Sequence, residues 1–202
     1  MRTYLILLTT LTIAIVPFPT ARSRFVVPTI PQRATVLGYD RTLFGPGWAT
    51  DGTGCDTRER IIARDLDDDP CSRPEHPPTP RTSHALDPYT GGALARNDIE
   101  VDHIIPVSAA WDLGAHRWDA AQRAKFYNDP LNLVAVSSAA NQEKSDKLPS
   151  EWMPARRRAR CAYGERMVVV AKQYALPLPE PDLRAIKRAC SGLLGLSAYR
   201  HL

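Results

Sequence analysis

Three short polar clusters between residues 100 and 146 carry the side chains best suited to chemistry. The first holds Asp102 and His103, the second Asn132 and the third Asn141. Imidazole titrates near neutral pH and suits a general base, whereas carboxylate and amide oxygens are ligands for a hard cation. We therefore expect His103 to act as a base, Asp102 and Asn141 to hold a divalent metal ion, and Asn132 to orient the imidazole.

The first two clusters are predicted to lie on two strands. Residues 100–105 and 131–136 are rich in β-branched and apolar side chains, and Pro106 ends the pairing of the first run or marks an edge. Successive side chains of a regular strand point to opposite faces. Asp102 and His103 are therefore expected to meet at one site only where the first strand ends or bulges.

Helices are predicted between the strands and after the second one. Asp119 and Gln122 have the spacing of a capping box, and a serine is expected to cap the helix of the third cluster. In that helix Asn141 and Lys144 are three residues apart and share a face, so we expect Lys144 to look toward a bound substrate. The predicted helices of this region cover residues 107–113, 120–127 and about 138–147.

The chain of 202 residues, with 44% hydrophobic content, is long enough for one domain with its own core and too short for two comfortable ones. Eighteen prolines confine helix to a few segments. Two of these are expected after the third cluster, one ending near residue 174 and one over residues 181–190. The predicted class is α+β.

A basic run precedes the first of these two helices. Arg156, Arg157 and Arg158 stand together in a chain whose formal net charge is +4, with 26 basic and 22 acidic residues. A modest positive charge favours a polyanionic partner only weakly. The run is interpreted either as a solvated helix start or as a surface that contacts the phosphates of a nucleic acid.

The first 21 residues are predicted to be a signal peptide. Arg2 precedes a mostly apolar run over residues 5–16, and small residues follow at Thr20 and Ala21. An uncleaved signal anchor is the alternative. Residues 22–38 are expected to form a flexible lead, and residues 39–202 a single secreted domain.

The four cysteines fit an exported protein with two disulfides. Three pairings are possible, and we favour Cys55 with Cys71 and Cys161 with Cys190 because each pair closes a local loop. A structural zinc site is the rival interpretation. It is disfavoured because the sequence lacks the close ligand spacing of CxxC or CxxH.

The three clusters together resemble the HNH (His-Me finger) nucleases. The resembling residues are the run 101–106 with Asp102 and His103, Asn132 with Leu133, and the run 141–146. More narrowly, the chain resembles exported actinobacterial proteins related to the C-terminal domain of GmrSD restriction enzymes, a DUF1524-like group. The likeness covers about residues 39–190 and includes Tyr39, Arg41, Asp87, Tyr89, Trp111, Trp118, Trp152, Cys161 and Cys190.

This resemblance implies a ββα-metal core over about residues 99–147. In such a core His103 is the general base, Asp102 and Asn141 hold Mg²⁺ or another divalent cation such as Mn²⁺, and Asn132 orients His103. The third position is Asn141, where many members have histidine. The link over residues 92–100 tends to be longer in relatives, so the resemblance does not imply the shape of the site's rim.

The leading hypothesis is a secreted, metal-dependent endonuclease that hydrolyses DNA, with RNA as a further candidate, and has little sequence preference. The alternative is a catalytically silent secreted module that binds polyanions through its arginines. A toxin delivered into another cell is a third hypothesis, although the sequence supplies no delivery module. Lys144, Arg156, Arg157 and Arg158 are the predicted nucleic-acid contacts.

Overall fold

A computed structural model describes residues 2–15, 25–52, 54–66, 85–94 and 96–191. Helices and two small sheets alternate along the chain, which is a mixed α+β arrangement. The α-helices are α1 (Arg2–Ile15), α2 (Thr57–Leu66), α3 (Val107–Leu113), α4 (Ala120–Tyr127), α5 (Ser138–Lys144), α6 (Arg160–Gln173) and α7 (Glu180–Ala189). The strands are β1 (Thr29–Ile30), β2 (Ile99–His103), β3 (Leu133–Ser137) and β4 (Leu178–Pro179).

Strands β2 and β3 form an antiparallel pair that is the centre of the fold. Ile99 pairs with Ser137 at one end and His103 with Leu133 at the other. Both predicted strands are confirmed, although β2 ends at His103, two residues earlier than expected. The chain leaves the strand pair there because the next two backbone N–H groups, of Ile104 and Ile105, donate to the backbone and side-chain oxygens of Asn132.

The two faces of this hairpin are buried by different parts of the chain. Ile99 and Val101 of β2 pack with Ile61 and Ile62 of α2 in a small core. The opposite face carries Glu100 and Asp102, contacts α5, and adjoins the larger core formed by the helices. Successive side chains of β2 therefore alternate between these two environments.

The helices begin where their capping residues predict. Asp119 accepts a hydrogen bond from the backbone N–H of Gln122 at the start of α4. Ser137 accepts one from Ala140 at the start of α5. These side chains satisfy backbone donors that a helix leaves free in its first turn. Helix α5 is shorter than expected and ends at Lys144.

The segment before residue 39 packs against the domain over its described part. Phe25 and Val27 are buried in the main core, and β1 pairs in parallel with β4. Arg33 bonds to the carboxylates of Asp112, at 2.7 Å, and Asp146, at 2.9 Å. Residues 22–38 were expected to form a flexible lead because their sequence shows little periodicity. Periodicity does not reveal pairing with a strand almost 150 residues away. Residues 22–24 lie outside the described part.

The predicted disulfide between Cys161 and Cys190 is confirmed and joins α6 to the end of α7. Because both sulfurs are in that bond, neither is a thiolate available to zinc, although Glu165 lies beside them. The proposed partner of Cys55, Cys71, lies outside the described residues.

Helix α1 lies within the predicted signal peptide. Among the described residues, none of the helices combines the length and the apolar character that a membrane span requires.

Candidate active site

His103 is the last residue of β2, and its imidazole is held by the chain between the two strands. Its Nε2 lies 2.9 Å from the backbone oxygen of Tyr127, at the end of α4. A carbonyl oxygen only accepts hydrogen bonds, so Nε2 carries the proton and Nδ1 keeps its lone pair. The tautomer is therefore set by Tyr127, and the basic atom of His103 is Nδ1.

His103 is only 4% exposed, and two aromatic rings pack against its imidazole. Trp48 stacks on it, with ring centroids 5.6 Å apart and planes 11° apart, and the ring of Tyr127 lies 4.7 Å away. Burial lowers the pKa of His103 to about 3; the bond to Tyr127 opposes this shift, and the charges of Arg41 and Lys144 add to it. The imidazole is therefore neutral at physiological pH.

Asp102 points to the other face of the hairpin and is bonded to two donors. Its carboxylate accepts a hydrogen bond from the hydroxyl of Tyr89 at 2.6 Å, and Nζ of Lys144 lies 2.9 Å away. Burial raises the pKa of the Asp102 carboxyl and lowers that of the Lys144 ammonium, while the charge of each opposes the shift of the other. Asp102 is thus part of a buried polar network.

The position of Tyr89 in that network is set by the turn that follows Asp87. The carboxylate of Asp87 accepts hydrogen bonds from the backbone of Tyr89 and from the side chain and backbone of Ser137. The turn is therefore fastened to the end of β3, which brings the Tyr89 hydroxyl to Asp102.

Lys144 was predicted to look toward a bound substrate, because it shares a helix face with Asn141, but it points into the protein. Its side chain is fully buried, and Nζ also donates to the backbone oxygen of His103 at 2.8 Å. Helix α5 lies on the hairpin, and the four-carbon stem of Lys144 runs inward from the last turn of α5. The ammonium therefore links α5 to two successive residues of β2.

Asn132 orients the loop after His103 through the backbone. Its Oδ1 accepts a hydrogen bond from the N–H of Ile105 at 2.8 Å, and Nδ2 donates to the oxygen of Ile105 at 3.3 Å. The backbone oxygen of Asn132 accepts from Ile104 at 2.7 Å. Its amide contacts this backbone, with no hydrogen bond to the imidazole among the described residues. It fixes where the chain turns after β2.

Replacing Asn132 with alanine is expected to destabilise the protein by about 1–3 kcal/mol, because the buried N–H of Ile105 loses its acceptor. The free energy of unfolding in urea measures this loss. Asn128→Ala is the control, since Asn128 also bonds to backbone, at Ala49 and Gly47, but is only half-buried. Equal losses in the two variants would contradict a special role for Asn132.

Asn141 lies on α5 beside Glu100, two residues before Asp102 on the same strand face. Its Nδ2 donates to Glu100 at 2.6 Å, and Ser138 donates to the other oxygen of that carboxylate at 2.9 Å. A carboxylate only accepts, so the amide is oriented with nitrogen toward Glu100. Its Oδ1 has no hydrogen bond within the part of the chain that the structure describes.

The seam between β2 and α5 fits a hard cation in its donor chemistry. Glu100, Asp102 and Asn141 supply carboxylate and amide oxygens, which Mg²⁺ and Mn²⁺ prefer. Lys144 is already the cationic partner of Asp102. A metal ion that took Asp102 as a ligand would displace this ammonium or share the carboxylate with it.

The sequence-family model for the C-terminal domain of GmrSD restriction endonucleases matches residues 51–177 of the chain. The chain belongs to this family. It is also 30% identical over 202 residues to an uncharacterized secreted protein of Arthroderma benhamiae (strain ATCC MYA-4681 / CBS 112371), covering 91% of this chain and 95% of that protein. No solved structure matches the chain.

The three arginines predicted to contact nucleic acid lie on the surface of this GmrSD C-terminal domain. Arg156, Arg157 and Arg158 are exposed in the turn that leads into α6. The backbone N–H of Arg156 donates to the oxygen of Tyr89 at 2.9 Å, so the run begins next to the Asp102 network.

Four residues of the site escaped prediction. Trp48 covers His103, Tyr127 orients it, and Tyr89 and Glu100 complete the polar contacts of β2 and α5. Glu100 had a usable signal, because it is two residues from Asp102 and shares its strand face. Tyr127 had none, because it acts through a backbone oxygen that every residue possesses.

Proposed function

We propose that this member of the GmrSD C-terminal family is an exported endonuclease that hydrolyses phosphodiester bonds of DNA with little sequence preference. RNA is the second substrate to test. The observation that carries the proposal is the placement of His103 at the end of β2, with its Nε2 held 2.9 Å from the backbone oxygen of Tyr127. Export is supported by the similarity to a protein described as secreted.

His103 is proposed as the general base, taking a proton from the attacking water at Nδ1. The neutral charge state suits this role, because only an imidazole with a free lone pair accepts a proton. With a pKa of about 3, His103 is a weak base before substrate binds. A substrate phosphate adds negative charge near the imidazole, which favours its protonated form and raises that pKa.

Two backbone contacts position this base. The carbonyl of Tyr127 holds the plane of the ring through Nε2, and Asn132 holds the loop that begins at Ile104. A base that is held in place avoids the entropy cost of being ordered during the reaction. Asn132 therefore supports catalysis by shaping the end of β2.

A divalent ion, Mg²⁺ or Mn²⁺, is proposed at the seam between β2 and α5, with Asp102 and Asn141 as protein ligands. Glu100 is a further carboxylate within reach of Asn141. When bound, such an ion would offset negative charge on a phosphoryl group that lies across the end of β2, where Asp102 and His103 leave the strand on opposite faces. In family terms, β2, β3 and α5 are the proposed ββα-metal core.

Removing divalent metal is expected to abolish cleavage. Purified protein should nick supercoiled plasmid in Mg²⁺ or Mn²⁺ and stop when EDTA is added in excess. Refilling with Mg²⁺ after EDTA treatment should restore the rate, which excludes irreversible unfolding as the cause. Unchanged nicking in EDTA would contradict the metal site at Asp102 and Asn141.

A catalytically silent polyanion-binding module is the second candidate. The observation that favours it is Lys144, whose ammonium already neutralises Asp102. The exposed arginines at residues 156–158 would then hold the polyanion. Retention of DNA that weakens with salt, with no cleavage in any divalent metal, would support this alternative.

A further inference from the structure

Arg41, which precedes the three clusters in the chain, contacts Tyr127, the residue whose backbone oxygen holds the imidazole of His103. It begins a short 3₁₀ turn, Arg41–Phe44, and its side chain is exposed. Its Nη2 lies 3.1 Å from the hydroxyl of Tyr127, and its guanidinium lies 5.3 Å from the centre of the Tyr127 ring. One ring therefore holds the guanidinium by a hydrogen bond and by a cation–π contact.

Tyr127 connects this guanidinium to the base. The backbone oxygen of Tyr127 orients Nε2 of His103, and its ring lies 4.7 Å from the imidazole. A single residue thus positions both a neutral base and a cation.

The charge of Arg41 is not balanced by a carboxylate within the described residues. The neighbouring acid, Asp40, instead accepts hydrogen bonds from the backbone and hydroxyl of Thr42. By contrast, Arg33, Arg60 and Arg184 each bond to carboxylates. An exposed cation that is held in place but not neutralised is suited to an anionic ligand.

We propose that Arg41 binds a backbone phosphate of the nucleic acid substrate next to His103, with Tyr127 holding its guanidinium. This inference rests on the proposed function and names a phosphate contact for that same site. A guanidinium has five N–H donors, of which the contact with Tyr127 uses one. The remaining donors match two phosphate oxygens in a planar fork.

The test compares DNA binding and cleavage by the full chain carrying Arg41→Ala, Arg41→Lys or Tyr127→Phe. Binding is measured with a short labelled duplex, in a His103→Ala background that prevents cleavage, across a range of KCl concentrations. Arg41→Ala is expected to weaken binding about 10-fold at low salt and to reduce the salt slope by about 1. Cleavage by Arg41→Ala with His103 intact should show a raised KM.

The conservative variants separate charge from geometry. Arg41→Lys should keep the salt slope but lose part of the affinity, because an ammonium cannot form the planar fork. Tyr127→Phe removes the hydroxyl that holds Arg41 and keeps the carbonyl that holds His103, so it should also weaken binding. Arg184→Ala is the control, because this exposed arginine is paired with Glu180 on α7.

The outcomes distinguish this inference from the proposed function. If the wild type cleaves and Arg41→Ala binds and cleaves like Arg184→Ala, the phosphate contact is overturned and the nuclease stands. If nothing cleaves but Arg41→Ala loses affinity and salt slope, the phosphate contact stands and the nuclease is overturned. If the duplex is not bound at all, both are overturned.

Discussion

Lys144→Met is expected to destabilise the protein by about 3–5 kcal/mol, the largest stability effect of any single change in the site. The side chain is fully buried, and its ammonium is the cationic partner of the buried Asp102. Methionine fills a similar volume but leaves the carboxylate with only Tyr89 as a side-chain donor. The free energy of unfolding in urea, at neutral pH without metal, measures the loss.

The double variant Asp102→Leu/Lys144→Met is the matching test of this interpretation. Because both charges are then absent, the double variant should recover much of the stability that Lys144→Met loses. Arg184→Ala breaks an exposed ion pair and should change stability by less than about 1 kcal/mol. A loss for Lys144→Met as small as that for Arg184→Ala would contradict the buried network.

Lys144→Met also tests the proposed metal site. If Asp102 is a ligand, a divalent ion can replace the missing ammonium, so Mg²⁺ or Mn²⁺ should restore stability to Lys144→Met more than to the wild type. Melting temperatures across a metal titration measure this difference. Equal shifts in both proteins would count against metal binding at Asp102.

His103→Ala is expected to reduce the rate of phosphodiester cleavage by about 10²–10⁴-fold, which is the usual contribution of a positioned general base. Binding of DNA should persist, because the proposed phosphate contact lies on Arg41 and not on the imidazole. The rate of plasmid nicking at saturating protein measures the loss, and the duplex assay measures binding.

His116→Ala is the matched control for that variant. His116 also bonds through a ring nitrogen to a backbone oxygen, that of Trp111 at 2.8 Å, but its ring lies outside the hairpin. It should leave the nicking rate unchanged. Equal loss of activity in both histidine variants would indicate a general effect on folding.

Local signals in the sequence were sufficient for the elements that carry the site. The caps at Asp119 and Ser137 are contacts within one helical turn, so residue type and spacing predict them. Strand alternation predicts opposite faces for neighbouring residues, and Asp102 and His103 were expected to meet at one site only where β2 ends or bulges. β2 does end at His103, but the two side chains still leave on opposite sides, Asp102 toward Lys144 and His103 toward Trp48.

Contacts that depend on the assembled fold could not be predicted in the same way. Helix geometry placed Asn141 and Lys144 on one face but could not say that this face lies on β2. The lysine is therefore buried, where its charge alone suggested a surface position. Likewise, the oxygen of Tyr127 becomes the partner of His103 only because α4 returns to the end of the hairpin.

Above all, we propose that His103 is the base of a metal-dependent nuclease. The most direct measurement is the rate of supercoiled plasmid nicking in Mg²⁺ by wild-type and His103→Ala protein purified in parallel. We expect nicking by the wild type, its loss in EDTA, and a fall of at least about 10²-fold in the variant. Equal rates for the two proteins in Mg²⁺ would contradict it.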